Sequence, residues 1–148
     1  NQHLLTCAST ILLMYLAEYF DEILKHTLPQ AKEVTTKRNR IEEYVRSTGL
    51  ETLGGSSTFY MFINIGDYAH SSLDFALYLL LKHHIAVVPG SAYGESTERF
   101  IRVGVGVETD ENLKNAIQTI KSVIVDQEYD EKLVNDCLKK LDIQKFKA

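Results

Sequence analysis

Apolar positions recur at three- and four-residue steps through the opening of the chain. Ile11, Tyr15, Ala17, Phe20 and Leu24 set a helical period between Cys7 and Lys25, and Leu12, Leu13, Met14 and Leu16 widen the stripe until the helix is apolar nearly all round. Such a helix is buried or packed between neighbours. Pro29 is expected to end it, because proline removes a backbone donor and clashes with the preceding turn. A second helix, residues 30–48, turns Ile41, Tyr44 and Val45 inward and ends at Gly49, while its many charges read as a solvated face.

The period then shortens. After the turn-rich residues 50–57, Phe59–Ile65 (FYMFINI) is rich in aromatic and β-branched residues and predicts a strand closed by Gly66-Asp67. Ser71 or Ser72 caps the next helix, with Asp74 completing a short capping box, and Leu73, Phe75, Ala76, Leu77, Leu79, Leu80 and Leu81 mark it as core-packed as far as about His83. Ile85–Val88 predicts a short strand ended by Pro89-Gly90. The polar loop 91–99 leads to a third strand, Phe100–Val107. Thr109 caps a helix with Asp110 and Glu111 in its first turn, where the helix dipole favours negative charge. Leu113, Ala116, Ile117, Ile120, Val123 and Ile124 give that helix a clear stripe. A last helix, 130–141, carries Leu133, Val134, Cys137, Leu138 and Leu141 on one face, before a basic tail. The order α-α-β-α-β-β-α-α predicts an α/β (α+β) two-layer domain, a small mixed sheet of three to four strands packed by helices.

Composition narrows the partners. With 148 residues, 45% of them hydrophobic and 24% charged, the chain is sized and composed as one globular domain. Its net charge of −4 argues against nucleic acid, which demands a basic face. Cys7 and Cys137 form neither a CxxC nor a disulfide framework, so a reducing, cytoplasmic setting is expected. No apolar run reaches membrane-spanning length. The 7–16 run lacks the basic segment and the cleavage site of a signal peptide. The chain opens on Asn1 rather than methionine, as a piece of something longer would.

The one chemical oddity is Arg102. Alternation along the third strand points Ile101, Val103, Val105 and Val107 to a core face, and Phe100, Arg102, Gly104 and Gly106 to the other. A cation thus shares its face with two residues that have no side chain. Glycine inside a strand marks close approach of something else, and a planar fork of donors beside open space suits a carboxylate or phosphate. The alternative is an arginine snorkelling at a sheet edge, or paired with Glu95, Glu98 or Glu108. Other chemistries lack their patterns. None of the five histidines has a partner at i+4 for zinc, Ser91 is not in a GxSxG elbow, and Gly104 and Gly106 do not precede a helix as a dinucleotide fingerprint requires.

The text around Arg102 resembles the small, C-terminal domain of class I/II pyridoxal-phosphate-dependent aminotransferases. Phe75-Ala76 with Leu79-Leu80, then Ile85-Ala86-Val87-Val88-Pro89-Gly90-Ser91-Ala92-Tyr93-Gly94, then Phe100-Ile101-Arg102 are similar to that family's helix, V-x-P-G-x-x-F-G and F-I-R segments. Residues 57–62 (STFYMF) look like its G-x-F-Y-x-F strand, residues 6–10 like the opening of its long interdomain helix, and 109–124 like its E-x-L-x-x-A-x-x-R-I helix. The resemblance covers about residues 1–125, leaving 126–148 as a helical extension. It implies that Arg102 grips the α-carboxylate of an amino-acid substrate and that Phe59 lies near that substrate. It also implies pyridoxal 5′-phosphate as cofactor, amino-acid and 2-oxo-acid substrates, and a homodimer.

The Schiff-base lysine, the phosphate loop and the aspartate that pairs with the pyridine nitrogen belong to a large domain absent from this chain. Thr36-Lys37, on a charged helix with no strand before it, is no substitute. The expected function is the substrate-binding lobe of an aminotransferase, inactive alone. A stand-alone binding module on the same fold, or the lobe of a related lyase or decarboxylase, is the alternative. Leu13 where the family often has glutamine, Glu98-Arg99 where it has glycine, Gly104 where it has serine and Tyr93 where it has phenylalanine leave the substrate and subfamily open.

Overall fold

The computed structural model describes residues 9–140. The expectations placed on residues 1–8, including Cys7, and on residues 141–148 lie outside that range. The chain forms two compact units, residues 1–34 and 35–148.

Helix α1 spans Thr10–Ser47, so the break expected at Pro29 does not occur. A proline inside a helix costs about 3 kcal/mol, and good helix formers on both sides carry the helix through it. The first unit consists of its N-terminal part, whose apolar residues lie open: Ile11, Leu12, Leu13, Met14, Tyr15, Leu16, Tyr19 and Phe20 are all exposed.

The second unit holds the remaining elements: strand β1 (Tyr60–Asn64), helix α2 (Ser72–His83), strand β2 (Val88–Pro89), two short 3-10 turns (Gly90–Tyr93 and Glu95–Thr97), strand β3 (Phe100–Gly104), helix α3 (Asp110–Asp126) and helix α4 (Glu131–Lys140). The sheet has three strands in the order β1-β3-β2, and β3 pairs antiparallel with both neighbours. The expected mixed sheet is therefore wholly antiparallel. A strand-helix-strand sequence such as β1-α2-β2 suggests parallel pairing, but β3 inserts between the two strands and removes it. Pro89 sits in the outer strand, where a missing amide donor is tolerated.

One face of the sheet makes the core. Met61, Ile63, Ile101 and Val103 pack with Val105, with Ile41 and Val45 of α1, Phe75, Tyr78 and Leu79 of α2, Ile117, Ile120 and Val123 of α3, and Val134 of α4. Val107, expected on this face, is 99% exposed, because β3 ends at Gly104 and the pairing with β1 stops there. Leu80, expected in the core, is also exposed.

The caps follow the local chemistry. The Ser71 side chain accepts from the Asp74 amide and the Thr109 side chain from the Asn112 amide. Gly49 adopts φ 89°, the left-handed cap that glycine enters without strain. α1 also departs from the sequence reading on one side. Arg38 is 2% exposed and Glu42 9%, and the Arg38 Nη1 donates to Glu42 Oε2 at 2.9 Å. Glu42 also takes Arg46 Nη2 at 2.9 Å and the Thr52 hydroxyl at 2.8 Å. Burial pushes the Glu42 carboxyl up, but the Thr52 hydroxyl and the two guanidinium groups outweigh it and hold its pKa below the usual carboxylate value.

Candidate functional site

The second face of the sheet carries Tyr60, Phe62 and Asn64 of β1, Phe100, Arg102 and Gly104 of β3, and Val88 of β2. The register sets Phe62 and Val88 opposite Arg102 on either side, and Tyr60 opposite Gly104. None of these residues is fully buried. An antiparallel sheet can leave one face open in this way. Arg102 thus stands half-buried in the centre of an open face, on the middle strand.

No carboxylate or carbonyl among the described residues takes a hydrogen bond from the Arg102 guanidinium. The acidic partners that the sequence offered are engaged elsewhere or stay apart. Glu98 accepts from the Ser72 amide at 3.0 Å and from the Ser72 hydroxyl at 3.3 Å, and the Glu108 side chain accepts from Asn112 Nδ2 at 3.0 Å. Glu95 makes no ion pair with Arg102. What surrounds the cation is aromatic. Its central carbon lies over the Tyr60 ring at 4.9 Å and over the Tyr93 ring at 5.3 Å. Phe62 links the two rings edge to face, 6.3 Å from Tyr60 and 5.3 Å from Tyr93.

The clearance inferred for the glycines holds at Gly104, where an added Cβ would meet nothing within 4 Å. Gly106 would place a Cβ 3.9 Å from the Phe59 ring, an ordinary contact. Phe59 lies just outside β1 and is 55% exposed, its ring set edge-on to Tyr60 and its carbonyl accepting the Val105 amide at 2.8 Å. Its ring reaches Tyr60, which in turn lies under the Arg102 guanidinium. The aromatic surround was not foreseen in the sequence. Its signal was present, since Tyr60 and Phe62 alternate on the face of Arg102, but Tyr93 lies nine residues before the arginine in a loop whose path no periodicity sets.

The loop that carries Tyr93 is firmly built. At Gly90 an added Cβ would fall 1.8 Å from the Thr97 carbonyl oxygen, so only glycine lets the two turns close on each other. The Thr97 hydroxyl reaches the Gly90 carbonyl at 2.8 Å, and the fully buried Ser72 hydroxyl takes the Ser91 amide at 3.1 Å. Beyond β3, Lys37 donates to the Glu108 carbonyl, and Arg40 pairs with Asp110 at 2.7 Å, a contact that holds the Asp110 carboxyl below its usual range.

A cleft of about 520 Å³ opens on the helix side of the sheet, between His83–Val87 and Asn112–Ile120 of α3, and does not include Arg102. Pyridoxal phosphate needs a lysine amine and a phosphate cradle. The open face offers neither, because its side chains are aromatic, amide, aliphatic or guanidinium and the Lys37 amine is engaged with backbone carbonyls. The open face therefore does not by itself fit that group.

The site is thus a helix-backed antiparallel sheet with, on its open face, an arginine that is unpaired among the described residues. The sequence model of the family described as aminotransferase class I and II matches residues 3–120, and the chain belongs to that family. It is 30% identical over 93 residues to an aspartate aminotransferase of Pyrococcus abyssi, covering 63% of this chain and 24% of that protein. It is 29% identical over 86 residues to an LL-diaminopimelate aminotransferase of Halothermothrix orenii, covering 58% and 22%. Among solved structures it is similar to a Methanococcus jannaschii protein whose active site is likened to kynurenine aminotransferases, with TM-score 0.63, 27% identity, and 83% of this chain and 32% of that chain covered. It is also similar to an aromatic aminotransferase of Pyrococcus horikoshii, with TM-score 0.55, 29% identity and 65% and 25% covered. The chain thus spans about a quarter to a third of the length of these relatives.

Proposed function

We propose that this chain is the substrate-binding lobe of a pyridoxal-phosphate-dependent aminotransferase, with Arg102 as the group that binds the α-carboxylate of the amino acid. The observation that carries the reading is a guanidinium on an open sheet face, without an anionic partner among the described residues and beside a glycine that leaves room for one. The relatives are named for aspartate, LL-diaminopimelate and aromatic amino acids. These substrates share little besides an α-amino group next to a carboxylate. A lobe that reads only the shared end fits that range, and side-chain selection then falls to residues beyond this chain.

Pyridoxal phosphate, bound by a second domain, accepts and passes on the amino group; Arg102 orients the substrate by its carboxylate and donates two parallel hydrogen bonds to it. Each such charge-assisted bond contributes about 1.5–3 kcal/mol. Phe59, whose ring lies edge-on to Tyr60, is read as lying near the same substrate. Residues 1–125 make up the lobe, and 126–148 form an extension whose helix packs Val134 into the lobe's core. A homodimer in the cytoplasm completes the reading. The exposed apolar residues of α1 supply a surface for the second domain and the second subunit.

The test is R102A and R102K in the polypeptide that joins this lobe to its cofactor domain. R102A is expected to raise KM for the amino acid at least a hundredfold, from two lost charge-assisted bonds, and R102K to recover only part of it because an ammonium lacks the planar fork. Unchanged KM in both variants would sink the assignment.

A further inference from the structure

The aromatic surround of Arg102 has a role that neither the strand pattern nor the family likeness assigns. We infer that Tyr60 and Tyr93 are positioning residues that bracket the free guanidinium and hold it in its carboxylate-binding pose before substrate arrives; this rests on the reading of Arg102 as the carboxylate grip.

The case starts from what an unpaired arginine would otherwise do. Its side chain has large rotamer freedom, and holding it to accept a planar carboxylate costs entropy unless something fixes it first. A carboxylate partner within the protein would fix it, but would also occupy the donors. Aromatic faces fix the cation through the ring quadrupole and leave every N–H free. The structure has this arrangement, with Tyr60 at 4.9 Å, Tyr93 at 5.3 Å, and no acceptor within the described residues.

The two rings come from opposite sides of β3, Tyr60 from β1 and Tyr93 from the turn after β2. Each is itself anchored. The buried Arg38 donates its Nε to the Tyr60 carbonyl at 3.2 Å, and Glu42 holds Arg38. Tyr93 rides on the turn that Gly90, Thr97 and Ser72 lock, and Phe62 ties it edge to face toward Tyr60. A phenol oxygen is not needed for any of this, since the Tyr93 hydroxyl makes no hydrogen bond among the described residues. The inference therefore predicts that the ring, not the hydroxyl, matters.

The experiment compares Y93F, Y93L and R102A in the holoenzyme. Y93L is expected to raise KM for the amino acid about five- to thirtyfold with kcat within about twofold, since preorganisation is lost equally from the bound substrate and the transition state. Y93F is expected to restore KM to within about twofold of the parent, because its ring face is retained. A Y93L enzyme with parental KM, in a protein where R102A raises KM, overturns the bracket and leaves the carboxylate grip standing. An R102A enzyme with parental KM overturns both. A second readout needs no variant. Without amino acid, the Arg102 Nε–H order parameter is expected near about 0.8, and a value below about 0.6, that of a freely moving side chain, overturns the inference even where Y93L does not fold.

Discussion

The two glycines nearest the site differ in what they make room for. At Gly104 nothing stands within 4 Å of an added Cβ and the backbone is not in the left-handed region, so its missing side chain leaves open space, which the proposed grip would use as clearance. At Gly90 the added Cβ would sit 1.8 Å from a carbonyl oxygen, so its missing side chain lets the chain close on itself. Substitution separates the two roles. G104A is expected to fold with a melting temperature unchanged or slightly raised, because alanine lowers the entropy of the unfolded chain. G104L is expected to keep that stability and raise KM about tenfold or more, by filling the lane beside Arg102. G90A is expected to lose about 3 kcal/mol or more, as other overpacked sites do, and thermal denaturation reads the difference directly. A G104L enzyme with parental KM would deny the lane a role. From the sequence, Arg102 and the emptiness beside it were legible because alternation in a strand is a local rule. The rings that surround it were not, because Tyr93 arrives through a loop.

Among the elements, the caps were legible and the buried charges were not. Ser71, Thr109 and Gly49 announce helix ends by chemistry within a few residues. Replacing Thr109 with Ala is accordingly expected to cost about 1 kcal/mol, read by denaturant titration. Arg38 and Glu42 fall on the same helical stripe as Ile41 and Val45, yet their charge reads as exposure until the network with Arg46 and Thr52 is seen. Glu42 has its folded pKa lowered, so the stability it contributes is complete above the ordinary glutamate range and is lost as pH falls through the lowered folded value. E42Q is therefore expected to flatten the acid side of a stability-against-pH curve below the ordinary glutamate range, and to lower stability at neutral pH. An acid limb as steep as the parent's would show that Glu42 does not carry it. The Pro29 expectation failed on a related point. Proline sets a penalty, and a helix of 38 residues has enough favourable turns on both sides to absorb it.

For the molecule as a whole, the sequence conveyed a two-layer α/β lobe but not the strand order. Three strands of known position permit several orders, and only long-range pairing places β3 between the others. The apolar opening helix was legible as a packed element, and in the first unit its side chains stand exposed. Contiguous apolar surface of this kind drives association. The 148-residue chain alone is expected to self-associate as concentration rises, while residues 35–148, which hold the whole hydrophobic cluster, are expected to melt cooperatively and sediment as a monomer. Sedimentation velocity on both decides it, and a monodisperse 148-residue chain at high concentration would count against the exposed helix as a docking surface.

The central place of β3 has a bearing on time as well as on space. Arg102 is paired on both sides, with Phe62 and with Val88, and the residues flanking it in the strand are buried. Backbone in such a position is expected to open to solvent only on the scale of global unfolding, and its amide to exchange among the slowest in the protein. The guanidinium is held separately, by the Tyr60 and Tyr93 rings rather than by the strand's own hydrogen bonds. If Arg102 is the carboxylate grip proposed above, capture and release would therefore not depend on movement of the strand. They would fall to a guanidinium already held between two rings.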